Sequence, residues 1–231
     1  MTAPALRSLR LEQGGRDLLV LLPGAYMRPE DFVAAGFFEM VETHLPTLDL
    51  CAVDLDLAII SSGQALSAVR HDILEPARPH YRQLWLGGIS LGGLLALAQA
   101  ADQPQSIAGL CLLAPYPGSR LTSGAIKAAG GLANWQATAE QLTDPEFRVW
   151  HWLKSQQTPP HPTPTAALPA TCPVFIGYGT EDRFADGMRQ LADCFPPSAR
   201  HTVPGGHDWP AWQQLWAAFV RSAHFAPHFF A

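Results

Sequence analysis

The amino-acid sequence predicts an α/β protein whose mostly parallel central β-sheet is flanked by helices. Two observations lead to this prediction: short apolar runs recur along the chain, and segments with helical spacing separate them. Unbroken apolar runs of this length are typical of strands that are buried on both faces of a sheet. The runs are residues 17–26, 48–57, 82–90, 106–116 and 172–182, with a weaker one at 199–208. The helical segments are residues 29–45, 63–78, 91–103, 186–195 and 208–225.

Composition narrows the class of protein. A chain of 231 residues, 48% hydrophobic and 15% charged, can bury a sizeable core and is not expected to be disordered. The formal net charge is −5 and no basic cluster is visible, so we expect no nucleic-acid partner. The longest apolar runs, such as residues 18–22, are too short to cross a bilayer, and no signal peptide is apparent. We therefore expect a cytoplasmic protein without a membrane span.

The cysteines and histidines give no sign of a metal or cofactor site. Cys51, Cys111, Cys172 and Cys194 are widely separated, and the first two lie inside apolar runs. Free thiols in a reducing compartment explain them better than disulfides do. No CxxC, HExxH or HxH spacing is present, so the sequence predicts neither a bound metal nor a cofactor.

Residues 117–169 interrupt the alternation of strands and helices. They contain two helical segments and then a proline-rich stretch, but no clear strand. We interpret them as a small helical insertion into one domain that comprises residues 1–231. The alternative is a disordered loop, but Trp135, Phe147, Trp150 and Trp152 favour packing.

The sequence Gly88-Ile89-Ser90-Leu91-Gly92 identifies a candidate nucleophile. It follows a predicted buried strand and opens a predicted helix, which is the context that the G-x-S-x-G motif requires. A strand that turns sharply into a helix holds its corner residue in a strained conformation, and the crowded backbones leave room only for small residues two positions away. The following helix also directs its free N–H groups towards any oxyanion that forms at Ser90.

Serine needs a base, and the base needs an orienting acid. His207 follows two glycines after the last predicted strand and is the candidate base, although an isolated histidine is more often structural. Asp182, in the turn after the preceding strand, is the candidate acid, and Glu181 is its competitor. Asp208 cannot orient His207, because adjacent side chains diverge too far.

The turn after the first buried strand supplies a second candidate element of the site. Gly24 and Ala25 lie where a second oxyanion donor is needed, although Gly24 alone could mark a plain turn. We expect the backbone amides of Ala25 and Leu91 to form the oxyanion hole. Tyr26, in the same turn, is a candidate for contacting the substrate.

Together these features resemble the α/β-hydrolase superfamily, from the Pro23-Gly24 turn to the final helix. The order Ser90, Asp182, His207 matches the Ser-acid-His order of that superfamily. The resemblance implies about seven or eight strands, with a cap inserted after the strand that follows the elbow, where residues 117–169 lie. The chain departs from the usual pattern in having Pro23-Gly24 where His-Gly is common.

The predicted activity is that of a serine hydrolase acting on a small-molecule carboxylic ester or thioester through an acyl-enzyme. Other chemistry on the same fold remains an alternative: C–C bond or amide hydrolysis, or a lyase reaction. A ligand-binding or scaffold protein that has lost catalysis is the alternative outside the enzymes.

The aromatic residues of the insertion suggest a substrate preference. Phe147 and Trp150, three residues apart, can share one helix face, whereas Trp152 points about 200° away from Trp150. We expect Phe147 and Trp150 to roof the Ser90 pocket and to favour uncharged, apolar substrates. The alternative is that these aromatics only attach the insertion to the sheet.

Overall fold

A seven-stranded sheet forms the centre of the computed structural model, which describes residues 5–157 and 172–229. The strands are β1 (Ser8–Leu11), β2 (Asp17–Leu22), β3 (Leu48–Val53), β4 (Gln83–Ile89), β5 (Gly109–Leu113), β6 (Val174–Gly179) and β7 (Arg200–Val203). Their spatial order is β1-β3-β2-β4-β5-β6-β7, and every neighbouring pair except β1 and β3 is parallel. Each of the six predicted apolar runs contains one strand, which confirms the predicted mostly parallel sheet.

Helices cover both faces of the sheet, and all except α3 and α7 occupy predicted segments. They are α1 (Pro29–Ala34), α2 (Phe37–His44), α3 (Leu57–Ser61), α4 (Ala65–Val69), α5 (Glu75–Ala77), α6 (Leu91–Asp102), α7 (Arg120–Ala128), α8 (Pro145–Gln157), α9 (Ala185–Ala192) and α10 (Trp209–Val220). A π-helical turn, Arg70–Leu74, joins α4 to α5. The segment predicted as one helix at 29–45 is two helices, because Gly36 adopts a φ of 80° between them.

Two hydrophobic cores lie on opposite faces of the sheet, and alternation along β2 shows how the sequence fills both. Leu18 and Val20 belong to the core that also contains buried residues of α6 and α8. Leu19 and Leu21 belong to the core that contains buried residues of α2 and α10. Successive strand residues point to opposite faces, so an unbroken apolar strand supplies both cores at once.

The predicted insertion lies between β5 and β6. Its helix α8 packs against α6 and is buried there, so it belongs to the helix layer that covers the sheet. Its helix α7 is amphipathic, with Thr122 and Ile126 buried and the Arg120 and Lys127 side chains exposed. The proline-rich stretch, residues 158–170, lies outside the described residues.

The four cysteines are free thiols, as predicted, and Cys51 and Cys111 are buried. Burial raises the pKa of Cys172 and of Cys194 to about 12, so these thiols are not activated nucleophiles.

Within the described residues, no group of three or more His, Cys, Asp or Glu side chains is placed to hold a metal ion. No helix in that part of the chain has the length and apolar character needed to cross a membrane.

Candidate active site

Ser90 lies at the corner between β4 and α6, in a strained backbone conformation with φ 53° and ψ −115°. Three hydrogen bonds hold this corner in place. The Ser90 N–H donates to the Leu113 carbonyl oxygen at 3.0 Å, and the Ser90 carbonyl oxygen accepts from the N–H groups of Tyr116 at 2.8 Å and Leu94 at 3.2 Å. A residue in this region of φ/ψ space persists only where its surroundings fix it, and strain of this kind is concentrated at functional sites.

The glycines on either side of Ser90 are required by close backbone packing. A Cβ atom added at Gly92 would lie 2.1 Å from the Leu22 carbonyl oxygen, and one at Gly88 would lie 2.5 Å from the Gly92 carbonyl carbon. No side chain fits at these distances without moving β2 away from the start of α6. The G-x-S-x-G pattern is therefore a packing requirement of this turn.

The side chains of Ser90, His207 and Asp182 form a continuous hydrogen-bonded chain. His207 Nε2 lies 2.8 Å from Ser90 Oγ, and His207 Nδ1 lies 2.6 Å from Asp182 Oδ2. Asp182 is 5% exposed, and its Oδ1 accepts a second hydrogen bond, at 2.8 Å, from the Phe184 N–H. The carboxylate is thus fixed in orientation and faces the imidazole with one oxygen, which is the geometry of a nucleophile, a base and an orienting acid.

Hydrogen bonds between two loops bring Asp182 and His207 together. The Thr180 N–H donates to the Val203 carbonyl oxygen at 2.9 Å, and the Glu181 N–H donates to the Gly205 carbonyl oxygen at 3.0 Å. A Cβ atom at Gly179 would lie 2.2 Å from the Gly205 carbonyl oxygen. The loop after β6 therefore continues to pair with the loop after β7, and glycine allows the close approach.

The carboxylates of Glu181, Asp208 and Asp56 do not bond to His207. Glu181 is exposed, and Asp208 caps α10 by accepting a hydrogen bond from the Ala211 N–H at 3.2 Å. Asp56, which follows β3, caps α3 in the same way. Among the candidate acids, the structure brings only Asp182 to His207.

Three aromatic residues surround the side chains of Ser90, His207 and Asp182, and no sequence pattern predicted them as site residues. The His207 ring meets Phe184 at 5.2 Å and Trp212 at 5.3 Å between centroids, both edge to face, and Phe184 meets Tyr116 in the same way at 5.4 Å. Phe184 follows Asp182 by two residues, and Trp212 lies on the inner face of α10. No local pattern in the sequence distinguishes them from core aromatics.

The turn after β2 lies against the end of β4 and carries the predicted second oxyanion donor. The Met27 N–H donates to the Gly24 carbonyl oxygen at 3.1 Å, which closes a turn around Ala25 and Tyr26. Tyr26 has a φ of 65° and is 86% exposed. Within the described residues, neither the Ala25 N–H nor the Leu91 N–H donates to another protein group, so both are free to bind an oxyanion.

The positions of Phe147 and Trp150 correct the expectation that they roof the Ser90 pocket. Both are buried in the core between α6 and α8, and the Trp150 indole N–H donates to the Pro117 carbonyl oxygen at 2.9 Å. Phe147 stacks on Trp135 with ring centroids 6.0 Å apart. Trp152, expected on the opposite side, is buried in the same core. The alternative interpretation, that these aromatics attach the insertion to the sheet, describes their contacts.

Replacing Trp150 with alanine is therefore expected to lower the free energy of unfolding by about 3–5 kcal/mol, because a large buried side chain is removed. The Trp150→Phe variant keeps most of the apolar volume but leaves the Pro117 carbonyl oxygen without its donor, and should lose about 1–3 kcal/mol. Urea titrations of both variants measure these losses. A Trp150→Ala protein with the stability of the wild type, but with altered discrimination between short and long esters, would restore the roof interpretation.

Comparison with solved structures finds the same fold in several proteins. S-formylglutathione hydrolase from Staphylococcus aureus matches with a TM-score of 0.60 over 94% of both chains at 13% identity. Est1E from Butyrivibrio proteoclasticus, solved with bound ferulic acid, matches with a TM-score of 0.61 over 97% of this chain and 95% of its own at 15% identity. A monoacylglycerol lipase from Paleococcus ferrophilus matches with a TM-score of 0.59 over 97% of this chain and all of its own at 17% identity. No family model and no curated protein matches the sequence. From its sheet order, its sharp turn from strand to helix at Ser90 and these structural matches, the chain has the α/β-hydrolase fold.

Proposed function

We propose that this protein is a serine hydrolase that cleaves a carboxylic ester or thioester through an acyl-enzyme. The observation that carries the proposal is the hydrogen-bonded chain from Ser90 through His207 to the buried Asp182. A strained serine in contact with an imidazole, which is itself oriented by a carboxylate, is the arrangement that makes a weak hydroxyl nucleophilic.

In the proposed acylation step, Ser90 Oγ attacks the substrate carbonyl carbon while His207 Nε2 accepts the hydroxyl proton. Asp182 holds the other proton of the ring on Nδ1 and stabilises the imidazolium that forms. The tetrahedral intermediate then collapses, the bond to the leaving oxygen or sulfur breaks, and Nε2 returns its proton to that atom. The alcohol or thiol departs and leaves an acyl group on Ser90.

Water completes the cycle in the proposed deacylation step. Nε2 of His207 accepts a proton from a water molecule as its oxygen attacks the acyl carbon. Collapse of the second tetrahedral intermediate breaks the bond to Ser90 Oγ, which takes the proton back from Nε2. The carboxylic acid leaves and the free enzyme is restored.

The oxyanion of both intermediates is assigned to the free N–H groups of Ala25 and Leu91. Leu91 is the first residue of α6, so the partial positive charge of the helix N-terminus adds to its effect. In the same proposal, Tyr26 contacts the substrate. Its ring is exposed next to the oxyanion turn, and a tyrosine held at positive φ on a surface turn contributes nothing to the core.

Two of the structural matches support the choice of bond. One match is a hydrolase of S-formylglutathione, a thioester, and another is a monoacylglycerol lipase, which acts on an oxygen ester. At identities of 13% and 17%, these matches support the reaction class for this chain and leave the substrate open.

A fluorophosphonate probe tests the proposal directly, because it reacts with an activated serine and mimics the tetrahedral intermediate. We expect one equivalent of label, and we expect tryptic mass spectrometry to locate it on Ser90. The Ser198→Ala variant is a matched control, since Ser198 is exposed at the opposite edge of the sheet, just before β7. A folded wild-type protein that takes up no label would favour a non-catalytic binding protein. Labelling combined with turnover of amides or C–C bonds, but not of esters or thioesters, would favour other chemistry on the same fold.

A further inference from the structure

A groove of about 880 Å³ lies between α7 and α9, beside the proposed active site. Its inner end is formed by Tyr116 and Phe184, whose rings meet edge to face. Both residues are bonded to the triad: the Tyr116 N–H donates to the Ser90 carbonyl oxygen, and the Phe184 N–H donates to the Asp182 carboxylate. Ser90 and His207 do not line the groove, so it begins one layer of side chains away from the reacting atoms.

The walls of the groove are positively charged in a protein whose formal net charge is −5. Arg120 and Lys127 lie on α7, Arg183 precedes α9, and Arg189 lies on α9. We call these four residues, with Tyr116 and Phe184 at the inner end, the basic groove.

Most of this positive charge has no protein partner. The one carboxylate that lines the groove, that of Asp186, pairs with Arg189 at 2.9 Å. Within residues 5–157 and 172–229, Arg120, Lys127 and Arg183 form no ion pair. The three cations without an ion pair repel one another across the cavity, and a bound anion would relieve that repulsion.

Two further contacts favour a preformed site. The Arg183 guanidinium lies 4.8 Å from the centroid of the Phe184 ring, so a cation–π contact holds it beside the inner end of the groove. The Glu146 carboxylate does not line the groove and accepts hydrogen bonds from the Ser119 N–H and the Thr122 hydroxyl, both at 2.7 Å. Glu146 thereby fixes the start of α7.

We infer that the basic groove binds an anionic group of the substrate, a carboxylate or a phosphate, while the ester or thioester carbonyl lies at Ser90. This inference rests on the proposed function and adds a substrate class to it. Aromatic rings at the inner end contact the apolar part of the substrate, and the guanidinium and ammonium groups further out contact its charge. The substrate preference is therefore opposite to the apolar, uncharged one that the insertion's aromatics suggested.

Three thioesters of matched acyl length separate the two sources of negative charge. S-butyryl-N-acetylcysteamine is neutral, S-succinyl-N-acetylcysteamine carries a carboxylate on the acyl side, and butyryl-coenzyme A carries phosphates on the leaving group. Thiol release, corrected for the rate without enzyme, gives kcat/KM for each. We expect at least one anionic thioester to exceed the neutral one by about tenfold or more, and we expect added salt to reduce this ratio.

The Arg120→Gln/Lys127→Gln double variant tests whether the groove causes the preference. Both side chains are exposed, so the fold is expected to tolerate the change. The ratio of anionic to neutral kcat/KM should fall about tenfold or more. The matched control is Arg78→Gln, because Arg78 is also exposed but precedes β4, at the sheet edge opposite Ser90. A wild-type ratio near one for both anionic thioesters, or an equal loss on neutral and anionic substrates in the double variant, would overturn the inference.

A binding measurement separates failure of this inference from failure of the proposed function. Calorimetric titration of the Ser90→Ala protein with the same three thioesters requires no turnover. Tighter binding of an anionic thioester, lost in the Ser90→Ala/Arg120→Gln/Lys127→Gln protein, would support the groove even if the wild type took up no fluorophosphonate. Labelling of the wild type at Ser90 together with equal binding of all three thioesters would retain the hydrolase and reject the groove.

Discussion

Replacing Ser90 with alanine is expected to lower the turnover of an activated ester or thioester by about 10⁴- to 10⁶-fold. The change removes the atom that is proposed to form the acyl-enzyme, while the free N–H groups of Ala25 and Leu91 remain to bind an oxyanion. Some acceleration over water is therefore expected to persist, through attack by water on a bound substrate. The measurement is kcat/KM for p-nitrophenyl acetate and for S-butyryl-N-acetylcysteamine.

Folding should survive this substitution. Alanine at the elbow meets the same backbone strain as serine, and the three backbone hydrogen bonds that hold the corner do not involve Oγ. The urea midpoint of Ser90→Ala should therefore match that of the Ser198→Ala control. Activity within about tenfold of the wild type, in a protein with an unchanged midpoint, would mean that Ser90 is not the nucleophile.

The strands and the candidate triad could be predicted from the sequence. The strands follow from local apolar runs, and the three residues lie where parallel strands end. Residues 17–22 are apolar at every position after Asp17, and β2 is buried on both faces. Ser90, Asp182 and His207 each follow a predicted strand, and the carboxyl ends of parallel strands meet at one edge of the sheet. This topology is why residues 117 positions apart in the chain could be predicted to interact.

The roles of Phe147 and Trp150 could not be predicted from helical spacing. The angle between Trp150 and Trp152 predicts different surroundings for the two residues only where the buried arc of the helix is narrow. Helix α8 is buried over a wide arc that includes both indoles, although they point in different directions, and His151 between them is exposed. Spacing gives the direction of a side chain, but tertiary contacts decide what covers it.

The basic groove was also outside the reach of sequence patterns. Arg120 and Lys127 are separated from Arg183 and Arg189 by more than 50 residues, and no segment of the chain shows a basic cluster. Each wall alone resembles an ordinary solvated helix face. The positive cavity exists only because α7 and α9 lie on either side of Tyr116 and Phe184.

The Asp182→Asn substitution is expected to lower turnover by about 10³- to 10⁴-fold, because it changes which nitrogen of His207 carries the proton. Asp182 Oδ1 already accepts from the Phe184 N–H, so in the variant the amide oxygen is expected to keep that bond and the NH₂ group to face His207 Nδ1. An NH₂ group is a donor, which favours an unprotonated Nδ1 and places the ring proton on Nε2, towards Ser90.

In that tautomer His207 cannot accept the Ser90 proton, although every heavy atom of the triad keeps its position. The control is Glu181→Gln, a change of the same kind one residue away. Glu181 is exposed, and its backbone N–H bond to Gly205 survives the substitution, so kcat/KM should change less than about twofold. Fluorophosphonate labelling rates give an independent measure, since they depend on the same proton transfer and should fall only in the Asp182 variant. A large loss in Glu181→Gln with a small one in Asp182→Asn would assign the orienting acid to Glu181, and would leave the fold and the nucleophile as they are.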